Sequence, residues 1–264
     1  MRKSLRVAGL ATACTVAGAA LYATGVASAD QDHPRSTKEP HNIGLLVGEI
    51  DAYYGATKGA DGVWRSSPDS PYAKDLARIQ AKAKKDIKKA AHHGGHGKKK
   101  PAIVLDVDDT ALLSFDYEKS TNFTYKNDSW DAYVKAAKRP AVFGMPELVR
   151  YAKSKGVEVF FLTGLAESQR EGAVTNLAKA GYATQLDRTH VFTKDKVNPP
   201  AYLGHCATPA AWKCTTVQFK EGTRKYIEST GYDIVGSFGD QASDLAGGYA
   251  DKTYKLPNPT YYVG

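Results

Sequence analysis

The chain has 264 residues, 42% of them hydrophobic and 24% charged, with a formal net charge of +8. That composition excludes an intrinsically disordered chain and a membrane-embedded body, and the length suits one domain of moderate size with a small annex. The basic bias is mild: it tolerates anionic substrates or wall polymers and does not by itself call for nucleic acid.

Arg2, Lys3 and Arg6 open the chain, a weakly apolar Ala/Gly/Thr-diluted stretch runs from Val7 to Val26, and Ala27-Ser28-Ala29 offers the small residues of a cleavage site. Residues 1–29 therefore read as a secretory signal peptide of the general type, since no Arg-Arg pair is present. Cys14 lies inside it without a lipobox. Cleavage after Ala29 lowers the formal charge from +8 to +5 and leaves no segment long and apolar enough to span a bilayer. The expected product is secreted, with association to the cell wall open. Two cysteines then remain, Cys206 and Cys214. An even count in an exported chain predicts a disulfide, worth about 2–3 kcal/mol in the chain-entropy picture, in preference to two free thiols.

Residues 30–99 read as an N-terminal helical annex and linker. Residues 30–41 are polar, with Pro34 and Pro40. Asn42 is placed to cap a first helix with Ile43, Leu46, Val47, Ile50 and Tyr54 on one face. A Gly/Ser/Pro-rich loop from Ala56 to Pro71 precedes a second helix over about Tyr72–Ala91, whose buried stripe is Leu76, Ile79, Ala83 and Ile87. Lys82, Lys84, Lys85, Lys88 and Lys89 fall mostly on its other faces and read as a solvated surface. His92-His93-Gly94-Gly95-His96-Gly97 and three lysines form a junction too glycine-rich to fix a metal geometry.

From Pro101 onward strands and helices alternate, which predicts a parallel sheet covered on both faces. Ala102 to Leu105 is a short buried strand that runs into Asp106, Asp108 and Thr110. Clustered carboxylates at a strand end resist desolvation, and a hard divalent ion such as Mg²⁺ resolves that conflict. An aromatic insert spans Phe115 to Pro140 and holds Tyr117, Phe123, Tyr125, Trp130 and Tyr133. Those rings serve one of two ends: stacking on a nucleoside or aryl leaving group, or packing the insert on the sheet. Further strands are predicted at Val157–Leu162, His190–Thr193 and Tyr232–Phe238, with helices opening near Pro146, Glu167 and Phe219. Ligands of such sheets bind beyond the carboxyl ends of the strands. Asp106 and Asp108, Thr163-Gly164, Lys220, Asp240 and Asp244 all fall on that edge.

Four blocks carry a resemblance: Leu105-Asp106-Val107-Asp108-Asp109-Thr110, Phe161-Leu162-Thr163-Gly164, Phe219-Lys220, and Gly239-Asp240-Gln241-Ala242-Ser243-Asp244-Leu245. Together they resemble the haloacid dehalogenase superfamily in its acid phosphatase branch, which holds plant-type and bacterial (class B-like) secreted enzymes. Arg170 with Thr175-Asn176-Leu177 and Ala180-Gly181-Tyr182 adds to the likeness, as do Lys255-Leu256-Pro257-Asn258-Pro259 and Tyr261-Tyr262. The resemblance covers residues 100–264 and departs at Asp109, where relatives often have Glu, and at Leu165, where they often have Arg.

The resemblance implies an α/β fold: a Rossmann-like parallel sheet with helices on both faces and a small cap inserted after the first catalytic strand, at about 114–140. It implies hydrolysis of small phosphate monoesters with Mg²⁺. Asp106 would be the nucleophile and Asp108 the proton carrier. Thr163, Gly164 and Lys220 would bind the phosphate. Asp106, Asp108 (through its main-chain carbonyl) and Asp240 would hold the metal, with Asp244 orienting Lys220 or a metal-bound water. A non-catalytic storage or binding protein on the same fold, and a phosphotransferase using the same intermediate, are the alternatives.

Overall fold

The computed structural model describes residues 40–94 and 99–263. The signal peptide, Cys14, Pro34 and His96 of the junction lie outside the described residues. Two compact units divide the chain, residues 1–46 and 47–264. Of the first, only residues 40–46 are described. There the Asn42 side chain accepts from the Gly44 N–H at 2.9 Å and caps the start of helix α1 (Ile43–Tyr54). Ile50 and Tyr54 are the buried members of its predicted face.

The second unit begins within this helix at Val47, and a two-strand hairpin, β1 (Thr57–Lys58) and β2 (Trp64–Arg65), follows in the loop expected between the first helices. Helix α2 (Pro71–His93) follows. It has Pro at its start, and the Ser70 hydroxyl caps it by accepting from the Ala73 N–H at 3.2 Å.

Next come strand β3 (Lys100–Leu105) and the insert helices α3 (Phe115–Ser120) and α4 (Asn127–Ala136). Helix α5 (Met145–Ser154), strand β4 (Glu158–Ala166), helix α6 (Arg170–Lys179) and strand β5 (Val191–Lys194) continue the alternation. A small hairpin, β6 (Ala207–Thr208) and β7 (Ala211–Trp212), leads to helix α7 (Thr216–Ser229), strand β8 (Tyr232–Gly239), the single-turn helix α8 (Ala242–Leu245) and strand β9 (Thr253–Lys255).

The main sheet is parallel throughout, in the order β5-β4-β3-β8-β9. Parallel strands are buried on both faces, which is why β3 and β4 read as continuous apolar runs rather than alternating ones. Side chains still take turns by face. Ala102, Val104, Phe160 and Leu162 pack with Phe219 and Ile227 of α7. Ile103, Leu105, Val159 and Phe161 pack with Leu148 and Val149 of α5 and Leu177 of α6. Leu76, Ala83 and Ile87 of α2 belong to that same cluster, so α2 is part of the core. It packs along β8 and α5, held by Tyr254 Oη donating to Asp86 at 2.9 Å and Gln80 donating to the Phe143 carbonyl at 2.6 Å. The chain passes from β3 to β4 and β5 on one side, then returns to β8 on the other. Strand order therefore reverses between β3 and β8, and a cleft opens beyond their carboxyl ends.

The insert has a small core of its own. Tyr117, Trp130 and Val134 pack with Leu165 and Ala173. Leu165, where the resemblance leads one to expect Arg, is thus an apolar member of the seam between insert and α6. That seam is close: a Cβ on Gly172 would stand 2.7 Å from the Val134 carbonyl oxygen.

Candidate active site

Each predicted residue reaches the cleft by a local device. The N–H of Asp106 donates to the Phe238 carbonyl at 2.9 Å, pinning the end of β3 beside β8. Asp109 then turns the chain in the left-handed region (φ 53°). Its buried carboxylate accepts the Ser114 N–H at 2.8 Å and the Ser114 hydroxyl, so Asp109 closes the loop at the insert's root. Thr110 donates to Asp240 at 3.2 Å. Gly239 permits the fourth block to fold tightly, because a Cβ there would lie 2.1 Å from that of Asp244.

Helix α7 starts with a capping box in which Thr215 and Gln218 bond each other's main-chain N–H groups. Thr216 and Lys220 lie one turn apart on its cavity-lining face. The Lys220 ammonium donates to Asp106 Oδ1 at 2.5 Å and to Asp244 Oδ1. Asp244 also accepts the Gln241 N–H at 2.8 Å. Asp240 accepts from Gln241 at 2.7 Å and from Asn258 at 2.8 Å.

Oxygen atoms of Asp106, Asp240 and Asp244 all lie within 4.8 Å of one another, and all three residues are buried. Burial raises the Asp106 carboxyl well above its ordinary value although Lys220 opposes this. Asp240 is pushed up to about 7 by burial and the charges of Asp109 and Asp244. Burial alone would lower Lys220, but Asp106 and Asp244 overcome it and hold the ammonium above its ordinary value. Three buried carboxylates against one ammonium leave a negative excess, and their hard oxygen donors suit a divalent ion such as Mg²⁺.

Asp108 is aimed elsewhere. Its carboxylate accepts from the Arg139 guanidinium on one oxygen and from the Thr163 hydroxyl, at 3.3 Å, on the other. The Thr163 oxygen in turn accepts the Leu165 N–H at 3.1 Å. The cleft is a cavity of about 390 Å³, with Asp106, Asp108, Gly164, Lys220, Asp240 and Asp244 in its wall.

Three lining or supporting residues carry no sequence signal. Arg139, fully buried, sits in the loop that leaves the insert and pairs with Asp108. Lys194, at the end of β5, enters the same cavity and has no carboxylate within ion-pair distance among the described residues. Burial and the charges of Lys220 and Lys196 lower it. Glu118 of α3 also lines the cavity. The insert's rings divide between the two ends expected of them. Tyr117 and Trp130 are core, while Phe123, Tyr125 and also Trp130 line the cavity.

Cys206 and Cys214 form a disulfide across the β6–β7 hairpin.

A stem 28 kDa glycoprotein of Glycine max is 33% identical over 172 residues, covering 62% of this chain and 61% of the relative. Acid phosphatase 1 of Solanum lycopersicum is 30% identical over 164 residues, 61% of this chain and 58% of its own length. Vegetative storage protein 1 of Arabidopsis thaliana is 28% identical over 164 residues, 61% of this chain and 54% of its own. The matched stretch therefore spans less than two thirds of each of these relatives. Among solved structures, the class C acid phosphatase from Bacillus anthracis shares the fold with a TM-score of 0.56 at 22% identity, over 74% of this chain and 80% of that one. Residues 68–264 match the family described as HAD superfamily, subfamily IIIB (acid phosphatase), and the chain belongs to it.

Proposed function

We propose that this chain is a secreted, Mg²⁺-dependent acid phosphatase that hydrolyses small phosphate monoesters through an aspartyl-phosphate on Asp106. The observation that carries the reading is a buried Asp106, 2.5 Å from the Lys220 ammonium, within a carboxylate cluster that opens into the cavity at the switch point of the sheet.

In the first step an Asp106 oxygen forms a bond to phosphorus as the ester P–O bond breaks, and Asp108 gives its proton to the departing alkoxide. In the second, Asp108 takes a proton from water as that water attacks phosphorus, releasing phosphate and restoring the Asp106 carboxylate. Lys220, the Thr163 hydroxyl and Gly164 hold the equatorial oxygens, where negative charge gathers. Asp106, Asp240 and the Asp108 main-chain carbonyl would hold the metal, with Asp244 fixing Lys220 from behind. The ion supplies screening between the carboxylate nucleophile and the phosphate oxygens.

The export-type leader and the disulfide support a secreted protein, since such bridges persist in oxidising compartments. Relatives named as storage proteins favour a second reading, a scaffold without turnover. Against it stand Asp106, Asp108, Thr163, Lys220 and Asp240, all present in this chain. The test is hydrolysis of p-nitrophenyl phosphate at mildly acid pH. Turnover that EDTA abolishes and Mg²⁺ restores is expected; no turnover with any divalent ion returns the chain to the storage reading.

A further inference from the structure

We propose that the cap-side wall of the cavity is a cation cage, and that the preferred substrates are phosphate monoesters of amino alcohols carrying a primary or quaternary ammonium group. The proposal rests on the phosphatase reading and names its substrate class.

The cavity's walls differ in chemistry. The sheet edge and α7 contribute Lys194, Lys220 and Gly164, a setting for the phosphate. The insert contributes Glu118, Phe123, Tyr125 and Trp130, and the C-terminal segment adds Tyr261 and Tyr262. Aromatic faces around a carboxylate are the chemistry that binds ammonium ions. Tyr125 and Tyr262 are 64% and 81% exposed, so neither ring is tied up in the core.

Glu118 decides between this and a purely apolar leaving group. It is only 6% exposed, and its carboxyl has no hydrogen-bond or ion-pair partner among the described residues. Lys119 pairs with Asp51 and lies over the Phe123 ring at 5.7 Å, and Arg139 pairs with Asp108 and lies over the Trp130 ring at 5.6 Å, so the rings left for a ligand cation are those of the tyrosines. Burial and the charge of Asp109 push Glu118 up to about 7, as befits a carboxyl that lacks a counter-ion. The Glu118 carboxyl faces the cavity without a counter-ion, and a ligand cation beside it would supply one. An aryl or alkyl group would supply none.

The probes, assayed at a pH of about 7.5 so that Glu118 is largely ionised, are choline phosphate and its uncharged carbon isostere, 3,3-dimethylbutyl phosphate, with a nucleoside monophosphate as a third ester. In the wild type, kcat/KM for choline phosphate is expected to exceed that for the isostere by about tenfold, the equivalent of one good cation–aromatic or ionic contact. Glu118→Gln brings the ratio close to one, chiefly through KM for choline phosphate. Tyr262→Ala, at an exposed position, lowers the ratio without burdening the fold. Equal kcat/KM for choline phosphate and the isostere, a preference for the nucleotide, or a ratio unchanged in both variants would overturn the proposal. If none of the esters is hydrolysed, the phosphatase reading fails by itself. Calorimetry on Asp106→Asn then decides the cage: choline phosphate bound about tenfold more tightly than the isostere upholds it, and equal binding overturns it.

Discussion

Arg139 is the residue on which the aim of Asp108 depends. Its guanidinium is fully buried, donates to Asp108 Oδ1 and lies 5.6 Å from the centroid of the Trp130 ring, while its Nε and second terminal nitrogen have no hydrogen-bond partner among the described residues. Its main chain is clamped from both directions by the Asn176 side chain, which accepts the Arg139 N–H at 3.0 Å and donates to its carbonyl at 2.8 Å. On the proposed mechanism, Arg139 acts through Asp108 as a positioning residue. Arg139→Ala is expected to lower kcat by about 100-fold with little change in KM, the usual cost of misplacing a reacting group, and Arg139→Lys to recover part of the loss. A rise in KM with kcat intact would contradict that role.

Nothing in Lys138-Arg139-Pro140 signals this pairing, because the partners are 31 residues apart and meet only once the insert has folded. Glu118 and Lys194 were hidden for the same reason, each looking like an ordinary helix or strand-end charge. Asp106, Asp108 and Asp240 were easier to place because each follows a strong strand, whereas Lys220 lies one turn into α7 and Thr163 lies inside β4, fully buried, with its hydroxyl on Asp108 rather than in the cavity wall.

Among the elements, the long apolar runs declared themselves and the short ones did not. Strands β3, β4 and β8 fall where their β-rich runs lie, although β4 continues to Ala166, four residues past its predicted end. Strand β9 has three residues and each strand of the two small hairpins has two, too few for any period to show. Residues 206–214 illustrate how such a piece is kept in place. The hairpin has one pair of short strands, so the disulfide supplies the closure that the ladder cannot. Replacing both cysteines by serine is expected to lower stability by about 2–3 kcal/mol, read by urea unfolding. An unchanged midpoint would show the bridge to be redundant.

For the molecule as a whole, α2 is the least anticipated feature. The helical annex was expected ahead of the sheet domain, yet α2 packs into the sheet's own core through Leu76, Ala83 and Ile87. Its amphipathic stripe was plain, but a stripe does not say which surface it covers.

The acidic cavity also sets how the whole fold responds to pH. Glu118 is pushed from an ordinary value of 4.5 up to about 7, first by burial and then by Asp109. A carboxyl whose folded value is raised binds more protons in the native state than in the unfolded one. Stability from this source is therefore present at low pH and falls as pH rises from about 4.5 to about 7. The melting temperature of the wild type should drop across that window, and the drop should be shallower in Glu118→Gln. An identical pH dependence in both proteins would contradict the assignment.

Covalent capture of the phosphoryl group on Asp106 is the most direct measurement. The protein is mixed with Mg²⁺ and p-nitrophenyl phosphate, quenched in acid within one turnover, and its peptides weighed by mass spectrometry. One added phosphoryl group is expected on the peptide that carries Asp106, and none in Asp106→Asn, which should also have lost turnover while keeping its fold. Wild-type turnover in Asp106→Asn, or a phosphoryl group on a different residue, would contradict a nucleophilic Asp106.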